Sequence, residues 1–144
     1  METPWYMEEN PACKSTCVTF FVTGVSVKPA LITKSFGIKP TRAFAAGEPY
    51  KSKAGSRVRG FGQWAIDSDR LVQSTSPEKH ALALLRLLEP RKRAIQGYTK
   101  KTTSKVGISI WWEASAAHGG FTLTSATIKR LASLCPEIDF HFAS

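Results

Sequence analysis

Cysteine is scarce in this chain, with only Cys13, Cys17 and Cys135 among 144 residues. An odd number with no Cys-x-x-Cys pair argues against a disulfide framework and fits free thiols in a reducing compartment, so a cytoplasmic location is expected. Histidine is equally sparse. His80, His118 and His141 have no spacing that would complete a four-ligand zinc site with Cys13 and Cys17. Asp67-Ser68-Asp69 lacks the glycine and distal glutamate of a calcium loop. No metal and no cofactor are expected. No apolar run approaches the roughly eighteen residues of a membrane-spanning helix, and the N-terminus lacks a basic stretch followed by an apolar core. There is no glycine-rich phosphate loop followed by Lys-Ser or Lys-Thr, and no pair of carboxylates on one expected strand or helix face. These absences point away from an enzyme.

Acidic residues are also few, 11 against 20 Lys and Arg, which leaves a net charge of +9. The charge is unevenly placed. Residues 28–60 carry Lys28, Lys34, Lys39, Arg42, Lys51, Lys53, Arg57 and Arg59 against Glu48 alone, and residues 86–105 carry Arg86, Arg91, Lys92, Arg93, Lys100, Lys101 and Lys105 against Glu89. Such a field favours an acidic protein surface or a nucleic acid as partner, besides promoting solubility.

The remaining residues outline one α+β domain over 15–144, preceded by a loose arm over 1–14 in which only Trp5, Tyr6 and Met7 are apolar enough to pack. CVTFFVTGVSV, from Cys17 to Val27, predicts a buried strand. Pro29 opens a short helix through Phe36, stopped by Gly37. Residues 45–60 read as a mobile loop. In a strand from Gly60 to Ile66, Gly60, Gly62, Trp64 and Ile66 would share one face. Ser76-Pro77-Glu78 is a strong helix start, and Ala81, Leu84, Leu85 and Leu88 form one stripe expected to lie over Trp64. Pro90 should kink or restart that helix, which runs on to Tyr98. Val106, Ile108, Ile110 and Trp112 alternate as a half-buried strand. Thr124 caps a helix whose buried face would be Ile128, Leu131, Ala132 and Cys135, stapled by Leu123 against Ile128 and ended by Pro136. Ile138, Phe140 and Phe142 alternate as a final strand. The expected architecture is a four- or five-stranded, mostly antiparallel sheet with two or three helices packed on one face.

Three constellations could carry chemistry. Arg59-Gly60-Phe61-Gly62 resembles the opening of an RNA-recognition-motif signature, and Phe20-Phe21-Val22-Thr23-Gly24-Val25 resembles its partner strand. Gln63 and Ile66 stand where that signature has aromatics, each a lost stacking platform worth about 1–3 kcal/mol per base. Cys135 as a nucleophile and a His118–Glu113 acid–base pair are weaker, since one lies on an expected apolar helix face and the other on a Gly-rich turn.

Read in order, Gly37-Ile38-Lys39-Pro40-Thr41, Gly47, Trp64, Ser68, His80, the Leu-rich helix ending in Pro90, and Ile138-Asp139-Phe140 resemble the bacterial domain-of-unknown-function 4279 family over roughly residues 17 to 143. The resemblance implies a fold and no activity. Gly37, Pro40, Thr41, Gly47, Trp64, Ser68 and His80 are its motif residues, and glycine, proline and large aromatics at such positions have backbone and packing roles. The family is typically acidic or neutral, and this chain departs from that. The expected function is a small non-catalytic protein-binding module, of immunity or accessory type, for a partner with an acidic surface. The alternative is a nucleic-acid-binding domain using the basic segments 51–60 and 86–105. In either case Arg57, Arg59, Phe61, Arg91, Lys92 and Arg93 are the candidate contact residues.

Overall fold

From Thr16 to Val22 every second side chain is buried, with Val18, Phe20 and Val22 fully so, and this alternation makes β1 (Cys13–Gly24) the central strand of a five-stranded sheet. A computed structural model describes residues 9–116, 119–134 and 137–144. After β1 come α1 (Pro29–Phe36), β2 (Arg42–Phe44), β3 (Pro49–Ser52), β4 (Gly55–Val58), β5 (Gly62–Asp67), α2 (Pro77–Leu88), α3 (Lys92–Thr99), β6 (Lys105–Ala114), α4 (Ser125–Leu134) and β7 (Glu137–Ala143). The sheet order is β2-β5-β1-β6-β7, and β3 pairs with β4 as a separate hairpin.

The expected α+β class and strand number match this architecture, but the sheet is mixed. β1 pairs antiparallel with β5 and β6, and β2 pairs antiparallel with β5, whereas β7 runs parallel to β6. The cause is α4, which lies between β6 and β7 and supplies the crossover that a parallel neighbour needs. All four helices cover one face: α1 against β5, α2 against β1, α3 against β6 and α4 against β7. A 3-10 turn over Glu89–Arg91 joins α2 to α3, so Pro90 interrupts the helix and lets it restart.

The core between sheet and helices gathers Phe20, Trp64, Ile108 and Ile110 from the strands with Leu84, Leu85, Leu88, Ile95 and Leu131 from the helices. Each such side chain contributes about 1.5–3 kcal/mol through burial. Trp64 is fully buried in the same core as Leu84, Leu85 and Leu88, and α1 engages its ring. Its indole Nε1 donates to Thr33 Oγ1 at 3.0 Å, and its ring meets Phe36 edge-on at 5.1 Å.

Other expectations shift locally. Residues 45–60 contain the β3–β4 hairpin, closed by Gly55 at φ +111°. β5 begins at Gly62, so Gly60 sits in the turn before it. A Cβ at Gly62 would lie 2.3 Å from the Val27 carbonyl oxygen, which is why glycine stands there. α4 buries Thr127, Leu131 and Leu134 instead of Ile128 and Ala132, both of which are exposed. The rotation follows from Glu78, a buried carboxylate that accepts hydrogen bonds from Thr124 N, Thr124 Oγ1 and Thr127 Oγ1 and so turns Thr127 inward. Cys135, Pro136, His118 and the Trp5-Tyr6-Met7 cluster lie outside the described residues.

Candidate functional site

Among the described residues no element covers the sheet face opposite the helices, and its composition follows from the same period of two that builds the core. Cys17, Thr19, Phe21 and Thr23 point there from β1, Gln63 and Asp67 from β5, Ser109 and Trp111 from β6, and Asp139 and His141 from β7. The sequence reading of the Cys17–Val27 run as wholly buried therefore holds for one face only. The strand register sorts these side chains into rows. Phe21 lies between Ala65 and Gly107, Thr19 between Asp67 and Ser109, and Thr23 between Gln63 and Lys105.

The Phe21 row is the distinctive one. Its neighbours carry a methyl group and no side chain, so the phenyl ring has room to lie over β6. A Cβ built on Gly107 would fall 2.7 Å from Phe21 Cζ. Lys105 Nζ stands 5.8 Å from the ring centroid. A trough of about 530 Å³ runs over this surface, lined by Thr19, Phe21, Arg42, Phe61, Gln63 and His141 among others.

One wall of the trough is a charge network. Asp67 accepts Thr19 Oγ1 at 2.6 Å, Thr41 Oγ1 at 2.9 Å, and Arg42 through Nε at 2.8 Å and Nη2 at 3.0 Å. Burial pushes the Asp67 carboxyl up, but the hydrogen bonds from Arg42, Thr19 and Thr41 outweigh it and hold the group below the usual range. Thr41, one of the family-motif residues, also takes a hydrogen bond from Asp67 N at 2.9 Å and thereby ties the edge strand β2 to β5.

Phe61, which lines the trough, is linked through Phe44 to Arg59 and to Tyr50 of the β3–β4 hairpin. The Arg59 guanidinium sits 4.1 Å from the Phe44 ring centroid and 4.0 Å from that of Tyr50, a cation held between two aromatic faces. Phe44 meets Phe61 at 5.4 Å, and Phe61 is 45% exposed at the trough's border. Gly47, with φ +89°, donates its N–H to the Arg59 carbonyl at 2.8 Å and shapes the base of this unit. Among the described residues, Lys51, Lys53, Arg57 and Arg59 make no ion pair.

The other candidate residues divide. Lys92 and Arg93 are exposed at the start of α3, in the helical layer and apart from the trough. Arg91 is tied into the helical layer. Its Nε donates to the Phe36 carbonyl at 2.7 Å and its Nη1 to Leu87 at 2.8 Å, so its charge caps two helix ends. Of the second basic segment, Lys105 stands near Phe21 on the open face, whereas Arg91, Lys92 and Arg93 lie in the helical layer.

Ser68 and His80 meet in the interior. Ser68 Oγ accepts the Val18 N–H at 2.8 Å and lies 2.6 Å from His80 Nδ1, while His80 Nε2 lies 2.8 Å from the Ser74 carbonyl. A carbonyl only accepts, so Nε2 carries a proton and Nδ1 receives the Ser68 hydroxyl. Both residues are essentially buried, and the pair braces β1 against α2. Gly37 closes α1 at φ +71°, its N–H donating to Thr33 O, and Pro40 lies in the connection from there to β2.

Cys13 and Cys17 are free, and burial, reinforced by Glu113 and Glu9, pushes the Cys13 thiol up. Glu113 is engaged by Ser15 and Lys14. No group of three or more His, Cys, Asp and Glu side chains that could hold a metal ion is found among the described residues. Nor is any helix among them long and apolar enough to cross a membrane.

The fold and this surface define an α+β domain with one helix-covered sheet face and one that no element of the described residues covers. The chain belongs to the family described as Domain of unknown function (DUF4279), whose pattern matches residues 12–143. No curated protein and no solved structure matches the chain.

Proposed function

We propose that this protein is a non-catalytic binding module that takes single-stranded nucleic acid across its open sheet face. The observation that carries this reading is Phe21, laid over Gly107 in the same trough that Phe61 borders. Both belong to the paired segments that resemble an RNA-recognition signature, and they come from β1 and the entry to its neighbour β5. An aromatic face on a sheet offers a base a stacking surface, and base–aromatic stacking is tolerant of sequence. Lys51, Lys53 and Arg57 on the hairpin provide cations for a phosphate backbone. Thr19, Thr23, Gln63 and Ser109 provide donors and acceptors for base edges or 2′-hydroxyls.

A protein partner with an acidic surface, the first expectation from the sequence, rests on charge alone and lacks a comparable shaped site. The experiment is a titration with random single-stranded RNA at about 0.15 M salt, repeated with folded Phe21→Ala and Phe61→Ala variants. Binding that weakens in both variants supports the nucleic-acid reading. Salt-sensitive binding indifferent to both phenylalanines, alongside capture of an acidic peptide, favours the protein partner.

A further inference from the structure

We infer that β7 is a self-association edge and that two copies join through antiparallel β7 strands into one continuous sheet. This goes beyond the proposed ligand and does not depend on it. β7 is seven residues long with a regular register against β6, and among the described residues no strand pairs with its other side. Sheets usually protect such an edge with shortness, proline, lysine or a bulge. The opposite edge does so, since β2 has three residues and carries Arg42. β7 is longer and contains no proline, lysine or bulge, its charges being Glu137, which pairs with Lys105, and Asp139, and it exposes Phe140 at 49% and Phe142 at 66%.

Those two rings continue an apolar groove of about 380 Å³ with Phe121, Leu123 and Ile128. The Phe121 ring is stacked near Phe140 at 6.4 Å and Phe142 at 6.0 Å, and Ile128 is 43% exposed on α4. The strand's own sequence identifies its occupant. In a two-fold antiparallel pairing centred on Phe140, all seven residues find a partner. Ile138 then faces Phe142 of the other copy on the apolar side, and Phe140 faces Phe140. On the open side Asp139 faces His141 of the other copy, twice, a carboxylate opposite an imidazole N–H donor. Shifting the axis to Asp139 opposes two carboxylates, and shifting it to His141 opposes two imidazoles and shortens the overlap. β7 is thus self-complementary in charge and apolarity at a single register.

The test is the solution mass of the full chain by light scattering at about 100 μM, a concentration that populates even a micromolar dimer. Twice 15.8 kDa is expected. His141→Asp, which sets carboxylate against carboxylate at both pairs, should weaken dimerisation about tenfold. The double variant Asp139→His with His141→Asp exchanges the partners and should restore it. Both positions lie on the open side of an edge strand, and far-ultraviolet circular dichroism checks that each variant folds. A wild-type monomer at this concentration overturns the inference, as does a dimer unaffected by His141→Asp or a charge exchange that fails to rescue.

Discussion

Replacing Ser68 with alanine should destabilise the protein by about 2–5 kcal/mol while leaving ligand binding by the folded fraction intact. The magnitude follows from what its hydroxyl serves. Ser68 Oγ accepts the buried Val18 N–H at 2.8 Å and donates to His80 Nδ1 at 2.6 Å. Removing one oxygen leaves both groups without that partner in a region where Val18 and Ser68 are fully buried and His80 is 1% exposed. An unsatisfied buried polar group costs about 1–3 kcal/mol. Against a total stability of about 5–15 kcal/mol this is a large loss. With a urea slope near 2 kcal/mol/M, the unfolding midpoint should fall by about 1–2 M. A double-mutant cycle with His80→Leu should return a coupling of at least about 1 kcal/mol, since the two side chains share one hydrogen bond. A Ser68→Ala protein within about 0.5 kcal/mol of wild type would refute the brace. Full stability combined with lost binding would instead give Ser68 a direct functional role.

Two further outcomes are expected. Trp64→Ala, which removes a fully buried ring and its Thr33 hydrogen bond, should cost about 3–5 kcal/mol in urea unfolding, whereas a midpoint close to wild type would contradict its place in the core. Glu9 accepts hydrogen bonds from the Thr75 side chain and backbone and from Ser74 beside Lys79, and its carboxyl is lowered from 4.5 to about 2. Its folded pKa lies below the unfolded one, so the contribution is full above pH 4.5 and is lost as pH falls toward about 2. The group is largely exposed, which limits that contribution to about 1 kcal/mol. Glu9→Gln should therefore narrow the stability gap between pH 6 and pH 3 by roughly half that amount, and an unchanged gap would refute the linkage.

Much of the fold is legible in the sequence because local signals and packing agree. The Ser76-Pro77-Glu78 start of α2, its Leu84-Leu85-Leu88 face and the stop at Gly37 all stand where residue chemistry puts them. The errors arise where distant partners decide. Apolar periodicity alone turns α4 toward Ile128, but Glu78, 49 positions before Thr127 in sequence, turns it toward Thr127. The parallel placement of β7 depends on a crossover, which strand composition does not encode. Arg91 looks like a surface charge until the ends of α1 and α2 converge on it.

The candidate site is half legible. Arg59 and Phe61 stand out as a local motif, and Phe21 appears in its partner segment. Thr19, Arg42, Asp67, Asp139 and His141 join them only through strand register. The available signal was the alternation of Cys17, Thr19, Phe21 and Thr23 against Val18, Phe20 and Val22, which marks a strand with two unlike faces. β-branched threonines obscured it by making the whole run read as interior.

The most direct test of a stacking surface on the open face is the ratio of RNA affinities between wild type and Phe21→Ala. It is best measured by fluorescence anisotropy with a single-stranded oligonucleotide of about ten residues, long enough to cross a sheet face. The comparison variant is Lys92→Glu with Arg93→Glu, whose charges lie in the helical layer. Loss of a stacked base worth about 1–3 kcal/mol predicts affinity about 5- to 150-fold weaker for Phe21→Ala, with a change below about threefold for the α3 variant. Equal affinity for Phe21→Ala and wild type, with binding abolished by the α3 charge reversal, would contradict the account.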